Sequence, residues 1–250
     1  MRNSLSRIKT LTGRNIKEIL RDPLSLILMI LLPLFMEILF YFIFHNLTSQ
    51  FEMKYLAPGI VVFSQAFLAL FTGQLISLDR ASAFLTRLFV SKARPHEFIL
   101  GYAAALVPVA LVQSVLFFLV GGIIDPSIFG AGMIRGVLLS IVTSLFFIAV
   151  GILLGSVCGE KAIGGAASII VIGQSILSGM WFPIDKLSEG FIFAMRCFPF
   201  KNATDLIQNV LNGVSDPADQ FWTPLLIVLA YTAAVFIAAI LCFKAKMKEK

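Results

Sequence analysis

The sequence predicts an all-α, polytopic membrane protein with six transmembrane helices, and three observations predict it. Hydrophobic residues make up 58% of the 250-residue chain and charged residues 14%, too little polar surface to wrap a water-soluble globule. Mean hydropathy is +0.93. The apolar runs are unbroken and helix-length, about 20 residues for a bilayer core of ~30 Å, without the roughly ten-residue alternation of barrel strands. Only helices or closed barrels satisfy every backbone hydrogen bond in lipid, so these runs are expected to be helices.

The expected spans are residues 24–44, 56–78, 98–124, 133–157, 163–182 and 221–243, within a single transmembrane domain covering residues 1–250. The first follows a largely polar stretch of over twenty residues. Its apolar part exceeds the ~7 to 15 residue core of a signal peptide, so it is expected to remain as a span. With six spans, both termini, the 79–97 loop and the 158–162 loop share one side, which holds 15 of the 20 lysines and arginines. The positive-inside rule makes that side cytoplasmic. The net charge of +6 then reflects topology and anionic headgroups, and gives no reason to expect nucleic acid as a partner.

Outside the spans lie three amphipathic stretches. At the N-terminus, residues 1–22 place Leu5, Ile8, Ile16, Ile19 and Leu20 on one helical face, while Arg7, Arg14 and Arg21 recur at sevens on the opposite one. This is the pattern of an interfacial helix with its arginines toward headgroups; a basic flank beside the first span is the simpler alternative. Asp22 and Pro23 supply a cap and a first helical residue, so the chain can turn into the bilayer.

Residues 79–94 form the second stretch. Ala81, Phe84, Leu85, Leu88 and Phe89 follow helical spacing, Arg80, Arg87 and Arg94 line another face, Asp79 can cap the start and Pro95 stops it. Such a helix has an apolar face to bury, against headgroups or in the groove of a soluble partner.

The third stretch, residues 183–212, is broken by Pro199. Leu187, Phe191, Ala194, Met195 and Phe198 make one stripe; after the proline, Ala203, Leu206, Ile207, Val210 and Leu211 oppose Asp205, Gln208, Asn209 and Asn212. Asn202 suits a helix cap and Gly213 a stop. Each half is too short to span, so an outer interfacial hairpin is expected.

Within the spans, Glu37 is the one formal charge set well inside, and an uncompensated carboxylate there costs a few kcal/mol on insertion scales. It should face protein or water. Gly151, Gly155 and Gly159 recur at fours, followed by Gly164, Gly165, Gly173 and Gly179, which predicts close packing of the fourth and fifth spans on each other or across a dimer. Pro33 and Pro108 should bend helices or mark cavity walls. Gln65, Gln74 and Gln113 suit interhelical hydrogen bonds or substrate contact equally. Cys158, Cys197 and Cys242 have no metal-ligand or redox spacing, and His45 and His96 fall on opposite sides of the membrane, so no metal site is expected.

This order of parts resembles the membrane subunits of ABC exporters of the second type, the ABC-2 permease family that includes bacterial permeases for drugs, polysaccharides and peptides. The resemblance covers nearly the whole chain. It rests on a surface helix before the first span, a basic amphipathic helix after the second, and "ILSGMWFPIDKL" followed by a proline-broken hairpin before the sixth. Ser178-Gly179, Pro183, Pro199-Phe200 and Gln208 match the family's local signature, whereas Asn202 stands where His, Arg, Ser or Tyr is expected.

The resemblance implies a bacterial inner-membrane protein paired with a second permease subunit, identical or related, and with a pair of ABC ATPase subunits that carry ATP and Mg. Residues 79–94 would be the coupling helix that docks on the ATPase, through Arg80, Phe84, Arg87, Leu88 and Arg94. The first and fifth spans would lie near the dimer interface, making Glu37, Tyr41, Gln174, Ser175 and Ser178 candidates for the substrate pathway. The hairpin, with Pro183 and Pro199, would re-enter the outer leaflet and roof the exit. The implied cargo is lipophilic or amphipathic, a drug, lipid-linked molecule or peptide, with polysaccharide or glycolipid as the alternative.

The residues independently place no ATPase on this chain, and no cofactor of its own is expected. A Walker A loop needs two glycines five apart followed by Lys and Ser or Thr, and "GSVCGEKAIGG" fails on spacing and on the hydroxyl. Two other classes remain: an intramembrane enzyme, which would need a convergent set of reactive side chains, and an ion-coupled transporter, which would need repeated halves or paired charges.

Overall fold

The computed structural model describes residues 2–82, 94–182 and 187–248. Among them there is no strand, and six helices are long and apolar enough to cross a membrane. Helix α1 (Arg2–Arg21) lies before the first span, α2 (Pro23–Phe44). The central spans are α3 (Met53–Ala81), α4 (Pro95–Ile124) and α5 (Ala131–Val157). Then come α6 (Glu160–Leu177), the short pair α7 (Glu189–Cys197) and α8 (Pro199–Asn212), and α9 (Thr223–Lys248), entered through a π-helical turn at Ala218–Trp222.

Helix α3 is the axis of the bundle. It packs against α2, α4, α5, α6 and α8, and 83% of its most apolar window is buried, against 17% for α2 and α6. Glycine permits the tightest of these contacts. A Cβ added at Gly151 would lie 2.5 Å from the Ala69 carbonyl, and one at Gly155 2.7 Å from the Gly73 carbonyl, so α3 and α5 touch backbone to backbone. This corrects the expected pairing of the fourth and fifth spans. Gly151 and Gly155 pack on the second span instead, and Gly164 and Gly165 of α6 have nothing within 4 Å of an added Cβ.

Buried polar groups tie the same helices together. The Gln65 amide donates to the Ser140 carbonyl at 2.9 Å and accepts from the Thr143 hydroxyl at 2.9 Å, while the Ser140 hydroxyl meets that of Ser114 at 2.7 Å. Gln113 donates to the Met29 carbonyl at 3.3 Å. Both glutamines therefore serve as interhelical ties, Gln65 through both ends of its amide and Gln113 through its NH2 group, with the Gln113 Oε1 unmatched among the described residues. Pro108 lines an apolar cavity of about 290 Å³ with Ile16, Ile19 and Val109.

Three expected boundaries move. The fifth span ends at Leu177 and not at residue 182, because Gly179 adopts φ 73° and turns the chain back over the bundle. The second amphipathic helix does not begin at residue 79 or reach 94: Asp79, Arg80 and Ala81 belong to α3, and Arg94 stands in extended backbone (φ −95°, ψ 152°) before Pro95 opens α4. Asn202 is no cap, since α8 starts at Pro199; its amide donates to the Arg196 and Phe198 carbonyls, both at 2.7 Å, and so closes the α7–α8 turn. Three local expectations match. Asp22 accepts from the Ser25 amide at 3.2 Å with Pro23 first in α2, Gly213 ends α8 at φ 94°, and Ala203, Leu206, Ile207 and Val210 form the buried face of α8.

Candidate functional site

The loop between α3 and α4 emerges at the end of the bundle where α1 lies, and α1 grips both of its roots. On the α3 side, the Arg14 guanidinium makes a two-point ion pair with Asp79, which also accepts from the Tyr102 hydroxyl of α4. On the α4 side, Arg7 pairs with Glu97 at 3.1 Å, and the same carboxylate oxygen accepts the Arg94 backbone N–H at 3.0 Å. Asp79 and Glu97 are nearly inaccessible. Burial alone lowers the pKa of Arg14, but the hydrogen bond and charge of Asp79 outweigh it and hold the guanidinium above its ordinary value.

The arginine spacing expected to face headgroups thus has another use. Seven residues are two helical turns, which puts Arg7 and Arg14 on one face, each over a different root of the loop. Ile19 is buried in the bundle, and Leu11 and Ile8 lie against Gly101 of α4, while Leu5 and Leu20 stay exposed. Asp79, Glu97 and Tyr102 were not foreseen in this role; the signal was two carboxylates flanking an otherwise basic loop.

Arg80, next to Asp79, reaches the opposite way. Its guanidinium donates to the carbonyls of Gly155, Ser156 and Cys158, at 2.9, 2.7 and 3.0 Å, satisfying the open end of α5. Of the candidate coupling residues, Arg80 and Arg94 therefore stand at the roots of the loop. Phe84, Arg87 and Leu88 lie outside the described residues.

At the far end, the chain after α6 clasps the bundle. Met180 packs on Gly59 of α3, the Gln50 amide donates to the Gly179 carbonyl, and Trp181 donates through its indole N–H to the Ser175 hydroxyl at 2.8 Å. The Trp181 ring lies 4.6 Å from Phe40 of α2 and 5.7 Å from Phe63 of α3. Helix α8 adds to the seal, with Gln208 donating to the Tyr55 carbonyl at 2.8 Å and Phe200 against Phe146 and Phe147 of α5. Pro199 is buried at the head of α8, and Pro183 lies outside the described residues.

The candidate pathway residues do not form one lined surface. Glu37 is fully buried beside Gly121 and neither carboxylate oxygen has a partner among the described residues; Gln174 is likewise buried with both amide atoms unmatched. Tyr41 is half-buried and stacks on His45 at 4.5 Å. Ser175 and Ser178 belong to the clasp, the latter accepting from the Met180 amide at 3.2 Å. No group of three His, Cys, Asp or Glu side chains able to hold a metal occurs among the described residues.

Six apolar spans, one of them a hub on which four others pack, with one loop anchored at both roots, define a multi-pass membrane protein. The chain belongs to the ABC-2 type transporter family, whose model matches residues 6–212, from within α1 to the last residue of α8. It is an ABC transporter permease, the membrane domain of such a transporter, and membership implies an ABC ATPase as partner. Comparison with curated proteins gave no match.

Proposed function

We propose that this chain is the permease subunit of an ATP-driven exporter, moving a lipophilic or amphipathic substrate out of a bacterial cell by alternating access. The observation that carries this reading is the double anchorage of the 79–94 loop by Arg14–Asp79 and Arg7–Glu97. A loop fastened so firmly at its roots transmits a pull on its tip to α1, α3 and α4 together, and Arg80 extends the pull to α5. The α1 end is cytoplasmic, as the distribution of basic residues indicates. ATP and Mg sit on the partner ATPase pair, which the loop contacts through Phe84, Arg87, Leu88 and Arg94, while Arg80, expected among these contacts, holds the root of the loop to α5.

A second permease subunit completes the path. The apolar faces of α2 and α6, with Leu31, Phe35, Ile169 and Ile172 exposed, are the surfaces offered to it or to lipid. Residues 183–212 roof the exit at the outer leaflet, and Glu37, Tyr41, Gln174, Ser175 and Ser178 meet substrate as α2 and α6 move apart from the bundle. In proteoliposomes holding the whole complex, Phe84→Glu with Arg87→Glu should abolish transport-coupled ATP hydrolysis. Unchanged hydrolysis and transport with the complex intact would refute the coupling assignment.

A further inference from the structure

A cleft of about 820 Å³ opens between α1 and the lower part of α3. One wall is cationic, with Lys9, Lys17 and Arg21 of α1; the other is apolar, with Phe71, Leu75 and Leu78 of α3. Its volume falls in the ~300 to 1,000 Å³ range of small-molecule sites. We propose that this cleft holds an anionic phospholipid of the inner leaflet, its phosphate among Lys9, Lys17 and Arg21 and its first acyl methylenes against Phe71, Leu75 and Leu78.

Charge argues for the anion. Lys9 and Lys17 are exposed and make no ion pair with any described residue. Arg14 also borders the cleft but is engaged by Asp79 and Glu18. The opposing carboxylates are Glu18 and Asp22. Burial, and then the charge of Asp79, push the Glu18 carboxyl up in pKa against the pull of Arg14 and Arg21.

Geometry argues for a lipid over a soluble phosphate. Phe71 and Leu75 stand in a membrane span, and Leu78 is half exposed on the same face. Phe71 and Leu75 are largely buried, so the surface to be covered is that of Leu78; a diacyl lipid covers it while its headgroup stays at the level of α1, and a soluble anion leaves it wet. The inference rests on the proposed cytoplasmic placement of α1 only for the choice of leaflet.

The test is native mass spectrometry of the permease–ATPase complex in detergent, titrated with phosphatidylglycerol or phosphatidylcholine of matched chains. Phosphatidylglycerol should bind roughly tenfold more tightly, and Lys17→Ala with Arg21→Ala should remove roughly that advantage, since each cation near an anionic group contributes several-fold. Lys161→Ala with Lys244→Ala, an equal charge change at the same end of the bundle, should leave it intact. Leu78→Asp should weaken binding while sparing the cations, and thermal melting of each variant separates misfolding from lost contact. Equal binding of the two lipids, or equal loss in the control pair, overturns the proposal. Displacement of the lipid by free glycerol phosphate at matched concentration makes this a soluble-anion site. Loss of the ATPase with lipid adducts unchanged makes it a protein-docking face. Binding in detergent does not depend on which side α1 faces, so failure here leaves the orientation standing, and labelling in intact cells tests the orientation separately.

Discussion

Arg14 of α1 and Asp79 of α3 meet through two parallel hydrogen bonds, with the Tyr102 hydroxyl of α4 closing over the same carboxylate, so three helices converge on one buried charge. Removing one partner of a fully buried pair costs about 3–5 kcal/mol, because the other charge is stranded. The Arg14 side chain is 31% exposed and can rehydrate. Asp79→Leu is therefore expected to destabilise the protein by about 2 kcal/mol, and Arg14→Leu with Asp79→Leu by less than the sum of the two single changes. Thermal melts of the four forms of this cycle, in one detergent, measure the coupling.

Arg7 and Glu97 form the weaker brace, with Arg7 37% exposed. Arg7→Ala should cost under about 1 kcal/mol of stability. Its effect on function should be larger, with ATP hydrolysis retained and transport per ATP reduced, as measured in proteoliposomes containing the ATPase.

The two sets of glycines separate cleanly. Gly155→Ala drives a methyl into the Gly73 backbone at 2.7 Å, and overpacking of this kind costs about 1–3 kcal/mol. Gly164→Ala meets nothing within 4 Å and should be neutral, or stabilising by up to about 1 kcal/mol through helix propensity. Opposite shifts in melting temperature for the two variants check the helix pairing directly.

Glu37 should respond differently in stability and in activity. Its carboxylate is buried without a partner, so Glu37→Met removes an unmet polar group, a gain of about 1–3 kcal/mol. Transport should nevertheless fall several-fold if α2 exposes this residue to cargo during the cycle. A more stable variant with undiminished transport removes Glu37 from the pathway.

Asn202→Ala deletes two 2.7 Å hydrogen bonds that tie the end of α7 to α8. A loss of about 1–3 kcal/mol is expected, with proteolysis between α7 and α8 as the local readout.

The spans were legible because length and hydropathy are local properties of the chain, and so were Asp22-Pro23 and the Gly213 stop, which act on their own helices. Contacts between distant segments were not. Nothing in the pattern of Gly151 and Gly155 says which helix will approach them, since the partner meets them with the carbonyls of Ala69 and Gly73 and the ordinary side chains of Thr72 and Ile76. Asp79 illustrates the same limit: before an amphipathic run, an acidic residue reads as a cap, and only the position of α1, 65 residues upstream, turns it into an anchor. For Glu37 the spacing revealed an anomaly in the membrane but not that it would be sealed among α2, α3 and α4.

Asp79 and Arg80 are neighbours on α3 yet face opposite sides, one held by α1 and α4 and the other by the end of α5. Twisting the tip of α3 about its own axis would tear both attachments at once, whereas tilting carries the attached helices along. The hub is thus geared for swinging and locked against turning: a lever with a fixed roll, whose stroke is set by how far its neighbours can lean.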